Sequence, residues 1–223
     1  MTQFLEYLDP AILLADRLDG AFSQELLIRN KKEEVMAFLQ PLRVKDLATY
    51  EHSIRVALLA RKIGKFIHLD SKALFYAGLL HDIGKAQTRL ATLQKTEGWT
   101  QADDEEIMHH VMDGYRLVRD KFDFSAEIIL WHHRFQPRKY PEQMPPLLRD
   151  YSEGTKILIP MYGRMLSLAD TFDALHRVND KHGGVITDGN YIKEKMLACH
   201  KDLKILVRDL FVEGIFTTEL VNK

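Results

Sequence analysis

An imidazole and a carboxylate stand side by side at His81 and Asp82, closing the apolar stretch Ala77-Gly78-Leu79-Leu80 and followed by Ile83-Gly84-Lys85. At a helix C-terminus both side chains can turn toward one metal ion. The glycine would let the backbone leave the helix, and the lysine would add a cation within reach of a bound phosphate. Such a dipeptide says little alone, but four more histidines and an aspartate stand at helix-compatible positions around it. His52 shares an apolar face with Val56, Leu59 and Ile63. Taken singly it reads as a core histidine. His109 and His110 are adjacent, and a helix can turn only one of them toward a given site; His110, four residues before Gly114, is the choice. His132 and His133 end the buried-looking run Ile128-Ile129-Leu130-Trp131. Asp170 sits inside the apolar helical segment Met165-Leu166-Ser167-Leu168-Ala169, where a carboxylate needs a cation, a donor or a metal. Asp173, one turn on, is a candidate for a supporting or capping role.

Five imidazoles and two carboxylates without a thiolate suit hard-to-borderline divalent ions. Iron or manganese fits best, with magnesium, zinc, nickel or cobalt as alternatives. Seven ligands exceed what one ion takes from protein when positions stay open for water. The excess argues for two metals with one carboxylate between them. Such a pair can activate water and clamp the attacking and leaving oxygens of an in-line phosphoryl displacement.

The elements that must position these residues read as helices nearly throughout. The periodicity predicts a helix over 52–67 and another over 71–81 with Ser71 as N-cap. Thr100-Gln101-Ala102-Asp103 has the form of a capping box leading a helix to about residue 120. Further helices are expected over 125–133, opened by Ser125, over 160–177 with Pro160 in its first turn, and from about Tyr191 to Phe211. The run Val185-Ile186-Thr187 is too short to weigh as a strand. Phe135 to Thr155, with four of the seven prolines, reads as a long loop. The expected architecture is all-α, with residues 1–44 forming an amphipathic helical extension packed on a main domain of residues 45–223.

The composition narrows the partners. With 31 Lys and Arg against 32 Asp and Glu, the net charge of −1 gives no basic field for nucleic acid or a membrane surface. Cys199 is the only cysteine, which excludes an intramolecular disulfide and reads as a small hydrophobe or a harmless thiol. No stretch approaches ~18 uncharged apolar residues, so no membrane span is expected. The N-terminus, Met1-Thr2-Gln3-Phe4-Leu5-Glu6, lacks the basic flank and apolar run of a signal peptide, and a cytoplasmic location is expected.

In this order the residues resemble the HD superfamily of metal-dependent phosphohydrolases, and within it the HD-GYP branch, whose members hydrolyse cyclic di-GMP. The resemblance runs from about Leu42 to Lys181. It rests on Glu51-His52-Ser53-Ile54-Arg55-Val56, Leu79-Leu80-His81-Asp82-Ile83-Gly84-Lys85, Lys95-Thr96-Glu97-Gly98-Trp99-Thr100, His110-Val111-Met112-Asp113-Gly114, the pair His132-His133, and the segment Arg164 to Leu175. It implies an HD-domain helical bundle with a metal site in its core, and it supports His110 over His109. After the paired histidines the branch carries a glutamate and then glycine–tyrosine–proline. Here stand Arg134-Phe135-Gln136-Pro137-Arg138-Lys139-Tyr140-Pro141, so only Tyr140-Pro141 survives. His176-Arg177-Val178-Asn179-Asp180-Lys181 replaces the branch's arginine–proline–tyrosine element, and Ala48 stands where a trimetal variant has a glutamate. The resemblance therefore implies two metals, while cyclic di-GMP as substrate does not follow from it.

The resemblance implies His52, His81, Asp82 and Asp170 around one ion, and Asp82, His110, His132 and His133 around the other. Asp82 would bridge, and Lys85 would stabilise charge on the phosphoryl oxygens. The expected function is a metal-dependent phosphohydrolase, a phosphodiesterase, acting on a phosphate ester or nucleotide. Two rivals stand beside it: a signalling module that binds a nucleotide or a partner protein without turnover, and an HD-type nucleotidase. Arg134, Arg138 and Lys139 could form a cationic rim or a solvated basic loop.

Overall fold

In the computed structural model, residues 10–25, 29–136, 138–176 and 188–217 are described. The run at 185–187, the replacement at 177–181 and Pro137 lie outside them. The described residues are helical, without a strand. No helix among them is long and apolar enough to cross a membrane.

Helices α1 (Pro10–Gln24) and α2 (Arg29–Lys45) lead into α3 (Leu47–Phe66) and α4 (Ser71–Leu80). Asp46 caps α3 by accepting from the Thr49 N–H, which explains a start five residues before the expected one. The cap of α4 is Asp70, not Ser71: its carboxylate accepts from the N–H groups of Lys72 and Ala73 at 2.9 and 3.0 Å. A shorter Ser71 hydroxyl, already inside the first turn, cannot reach those donors. α3 and α4 pack backbone to backbone at Gly78, where a Cβ would lie 2.5 Å from Ala57 Cα.

A 3₁₀ turn (Ile83–Ala86) and the single turn α5 (Leu90–Leu93) follow, then α6 (Gln101–Met108) and α7 (His110–Val118). The capping box is present in full: Thr100 accepts from the Asp103 N–H, and the Asp103 side chain accepts from the Thr100 N–H. The single helix expected beyond it is two helices, broken at His109. α8 (Asp123–Ile129) contains Ser125 rather than starting from it, and stops four residues short of His133.

α9 (Glu153–Ala174) starts seven residues before Pro160, capped by Ser152. Pro160 lies inside it and leaves the Lys156 carbonyl without its helical donor; the helix runs through. The C-terminal region is also divided, into α10 (Gly189–Cys199), a 3₁₀ turn (Lys201–Leu203) and α11 (Lys204–Val212).

α3, α4, α8 and α9 form the centre, with α7 against α8 and the first 3₁₀ turn, and α10 against α9 and α11. Val56, Ile63, Leu74, Phe75, Leu79, Ile128, Leu166 and Phe172 fill the core between them. Leu18, Phe22, Val35, Leu39 and Leu42 of α1 and α2 belong to that same core. Arg61 of α3 binds Glu25 and Gln24 at the end of α1.

Candidate metal centre

Three helix C-termini converge on one point. His81 is the C-cap of α4, His110 follows the last turn of α6, and His132 follows α8. In each, ring Nδ1 meets a backbone carbonyl three residues earlier in that last turn: Gly78 at 2.8 Å, Ile107, and Ile129 at 2.5 Å. A carbonyl only accepts, so each Nδ1 carries the proton and each Nε2 presents a lone pair. All three Nε2 atoms are buried and have no hydrogen-bond partner. The C-terminal ends of α4 and α8 add a field that favours a cation, whereas at His110 the end of α6 meets the start of α7.

Asp82 lies among them. Its Oδ2 is 3.4 Å from His81 Nε2 and 3.5 Å from His52 Nε2, and its Oδ1 is 3.3 Å from His110 Nε2. Two triads form on either side: His52, His81 and Asp170, and His110, His132 and His133, each with donor atoms within 4.8 Å of one another. All seven sequence candidates thus meet at one place. Exposed His109 lies outside it, whereas His110 is 1% exposed.

Lys85 reaches this centre from the 3₁₀ turn, with Nζ 2.6 Å from Asp82 Oδ2. Gly84 positions that turn. The backbone does leave the helix there, without a positive φ; the positive-φ glycines among the described residues are Gly98 and Gly214. The need for Gly84 is steric, because a Cβ there would lie 1.9 Å from the His110 carbonyl oxygen.

Asp173 supports His52 from behind, accepting from His52 Nδ1 at 2.7 Å and from Arg55 Nε at 2.8 Å. Arg55 escaped the sequence reading. Its signal was its place one helical turn after His52, a cation beside an apolar stripe. Tyr140, quoted only as a surviving motif residue, stacks on His133 with ring centroids 4.4 Å apart.

Burial pushes the His81 and His110 rings down to about 4 and about 3. It also lowers His132 and His133, so the imidazoles are neutral near pH 7, the form a metal requires. Burial opposes charge on Asp82, but His81 and the Lys85 ammonium outweigh it and hold the carboxylate well below its usual range. Asp170 is likewise held low, by His52 and His81 against burial. Buried carboxylates beside inward-facing, unprotonated Nε2 atoms fit divalent cations.

The HD domain family model matches residues 49–175, more than half of the chain and all seven of these residues. The chain belongs to the HD-domain family. It is 27% identical over 171 residues to the 3'3'-cGAMP-specific phosphodiesterase 1 of Vibrio cholerae, covering 74% of this chain and 37% of that protein. It is 28% identical over 141 residues to a cyclic di-GMP phosphodiesterase of Pseudomonas aeruginosa, covering 60% and 32%. The chain therefore spans about a third of the length of these curated relatives. The HD domain of the L. monocytogenes phosphodiesterase PgpH has the same all-α fold, with a TM-score of 0.52 and 19% identity over 83% of this chain and 91% of that one. A crystal structure of that domain holds cyclic-di-AMP.

Proposed function

We propose that this HD domain is a metal-dependent phosphodiesterase that takes two divalent cations, iron or manganese by preference, and a cyclic dinucleotide as substrate class. The observation that carries the reading is the set of three buried, unpartnered Nε2 atoms around Asp82, each set in its ligand tautomer by a helix-end carbonyl. The named activities of the V. cholerae and P. aeruginosa relatives support the substrate class.

His52, His81 and Asp170 would hold one ion and His110, His132 and His133 the other, with Asp82 reaching both. Bound ions would supply charge stabilisation to the phosphoryl oxygens and activate water. Asp173 and Arg55 hold His52 in place from behind. The His81 and His110 rings, pushed down to about 4 and about 3 by burial, stay neutral and available as ligands at mildly acidic pH. Lys85, about 15% exposed and based on Asp82, would extend its ammonium toward a phosphoryl oxygen.

Metal content of protein purified without oxygen or added metal tests the centre, and hydrolysis of 3'3'-cGAMP, cyclic di-GMP, cyclic-di-AMP and mononucleotides tests the chemistry. Two ions per chain with turnover of a cyclic dinucleotide is the expected result. Bound metal without turnover of any of these would leave a binding module, and phosphate release from mononucleotides would make it a nucleotidase. Asp82→Ala should lose both ions, since it removes the carboxylate shared by the two triads, whereas His109→Ala should keep them. Two tightly held ions in Asp82→Ala would refute the assignment.

A further inference from the structure

His81, His110 and His132 each have a backbone carbonyl to fix the ring, but His133 has no such bond. Its Nδ1 is buried and unpartnered, and the Gln136 side chain neighbours the ring. What lies flat against His133 is Tyr140, with 21° between the planes; the same ring stands edge-on to His110 at 6.1 Å. Tyr140 comes from the loop that follows the histidine pair, and so needs an anchor of its own.

The anchor is Arg134. Its Nη1 donates to the Pro141 carbonyl at 2.7 Å, joining the residue after His133 to the residue after Tyr140. A guanidinium only donates, and a carbonyl oxygen only accepts, so the two are matched partners. Arg138 adds a more exposed tie, with Nη1 2.5 Å from Asp104 Oδ2 on α6. Both arginines read from sequence as a candidate cationic rim are therefore engaged with protein.

We propose that Arg134 is a positioning residue of the metal centre: by holding Pro141 it seats Tyr140 on His133 and fixes the candidate imidazole that neither a helix-end carbonyl nor a carboxylate orients. The proposal rests on the metal-centre reading for its consequence, but its geometry belongs to the protein alone. Residues that orient metal ligands typically contribute about 10- to 100-fold in affinity. Arg134→Ala should accordingly weaken Mn²⁺ binding by at least about 10-fold. Arg134→Lys, which keeps a donor near Pro141, should restore most of it.

Two measurements on the full chain separate this idea from the reading beneath it. In metal-free protein, NMR of the His133 ring protons should show the upfield ring-current shift of a stacked tyrosine. That shift should vanish in Arg134→Ala and in Tyr140→Leu and persist in Arg134→Lys. Calorimetric titration with Mn²⁺ then reads the affinity. An unchanged His133 shift and affinity in Arg134→Ala overturns the proposal. If that variant does not fold, Tyr140→Leu decides, because wild-type binding in Tyr140→Leu also overturns it. A wild-type chain that takes no Mn²⁺ would end the metal-centre reading, while the ring shift would still decide whether Arg134 seats Tyr140.

Discussion

Gly84→Ala adds one methyl group at the point where the 3₁₀ turn meets α7. The new Cβ would lie 1.9 Å from the His110 carbonyl oxygen and 2.5 Å from the Gly114 nitrogen. Real Cβ atoms essentially never approach within 3.0 Å of such neighbours, so a retreat of more than about 1 Å is required. Neither partner is a flexible side chain that could swing aside. Overpacking a rigid contact costs about 1–3 kcal/mol, and two backbone partners place this case near the top, about 3 kcal/mol. For a chain of this size that lowers Tm by about 6–12 °C. The functional effect should exceed the stability effect, because a ligand set tolerates only about 0.5 Å of misplacement. His110 Nε2 sits 3.3 Å from Asp82 Oδ1, on the atoms that such a retreat separates. Thermal unfolding in chelator isolates the packing cost from metal linkage, and Mn²⁺ calorimetry then reads the site. Gly20→Ala is the control: it lies inside α1 with nothing within 4 Å of its would-be Cβ, and should leave stability unchanged or raise it by up to about 1 kcal/mol. Gly84→Ala with wild-type Mn²⁺ affinity and a Tm within about 2 °C of wild type would refute the reasoning.

Asp173→Asn should weaken metal binding by about 10- to 100-fold while leaving the fold intact, because the amide no longer supplies the charge that holds His52 and Arg55; metal titration and circular dichroism check the two halves. Removal of residues 1–45 should yield no cooperatively folding chain, read by calorimetry: Leu18, Phe22, Val35, Leu39 and Leu42 would leave a hole whose lost burial is on the order of 10 kcal/mol, comparable to a domain's net stability. Burial and the Arg164 guanidinium push His200 down to about 4. Between pH 6.5 and 4 the unfolded chain therefore takes a proton that the folded ring refuses, and stability falls as pH falls through that window, by up to about 3 kcal/mol. Denaturant unfolding across pH 7 to 4 should show a shallower loss in His200→Gln than in the wild type; equal slopes would remove His200 from the account.

The identity of the candidate ligands was legible in the sequence, and their support was legible in part. His81 and the pair His132-His133 follow apolar runs, and an imidazole ending such a run needs a reason to be there. The helix N-terminus at Thr100 was readable because its capping box closes within four residues. Pro160 misled because the residue type favours a first turn, while the Ser152 cap that starts α9 lies eight residues upstream. The break at His109 and the steric role of Gly84 depend on contact between segments about 26 residues apart, and no local pattern encodes it. Arg134 and Arg138 read as free charges for the same reason: their acceptors, Pro141 and Asp104, come from the fold.

One local rule does connect sequence to site. The last carbonyls of a helix have no intrahelical donor, and an imidazole placed three residues after one of them can supply that donor from Nδ1. Gly78 and His81, Ile107 and His110, and Ile129 and His132 all satisfy it. Each pairing caps a helix end and, by consuming the Nδ1 proton, leaves Nε2 as a bare acceptor pointing away from the helix. The bond that stabilises the helix end is thus the bond that would prepare the imidazole as a ligand, so no separate group is needed to select the tautomer. It also explains why these three candidate ligands stand where helices stop rather than along their faces: inside a helix those carbonyls are already taken. His52 lies mid-helix, has no such carbonyl to use, and takes the carboxylate of Asp173 instead. His133 has neither, which is why its orientation falls to Tyr140 and the arginine that holds it.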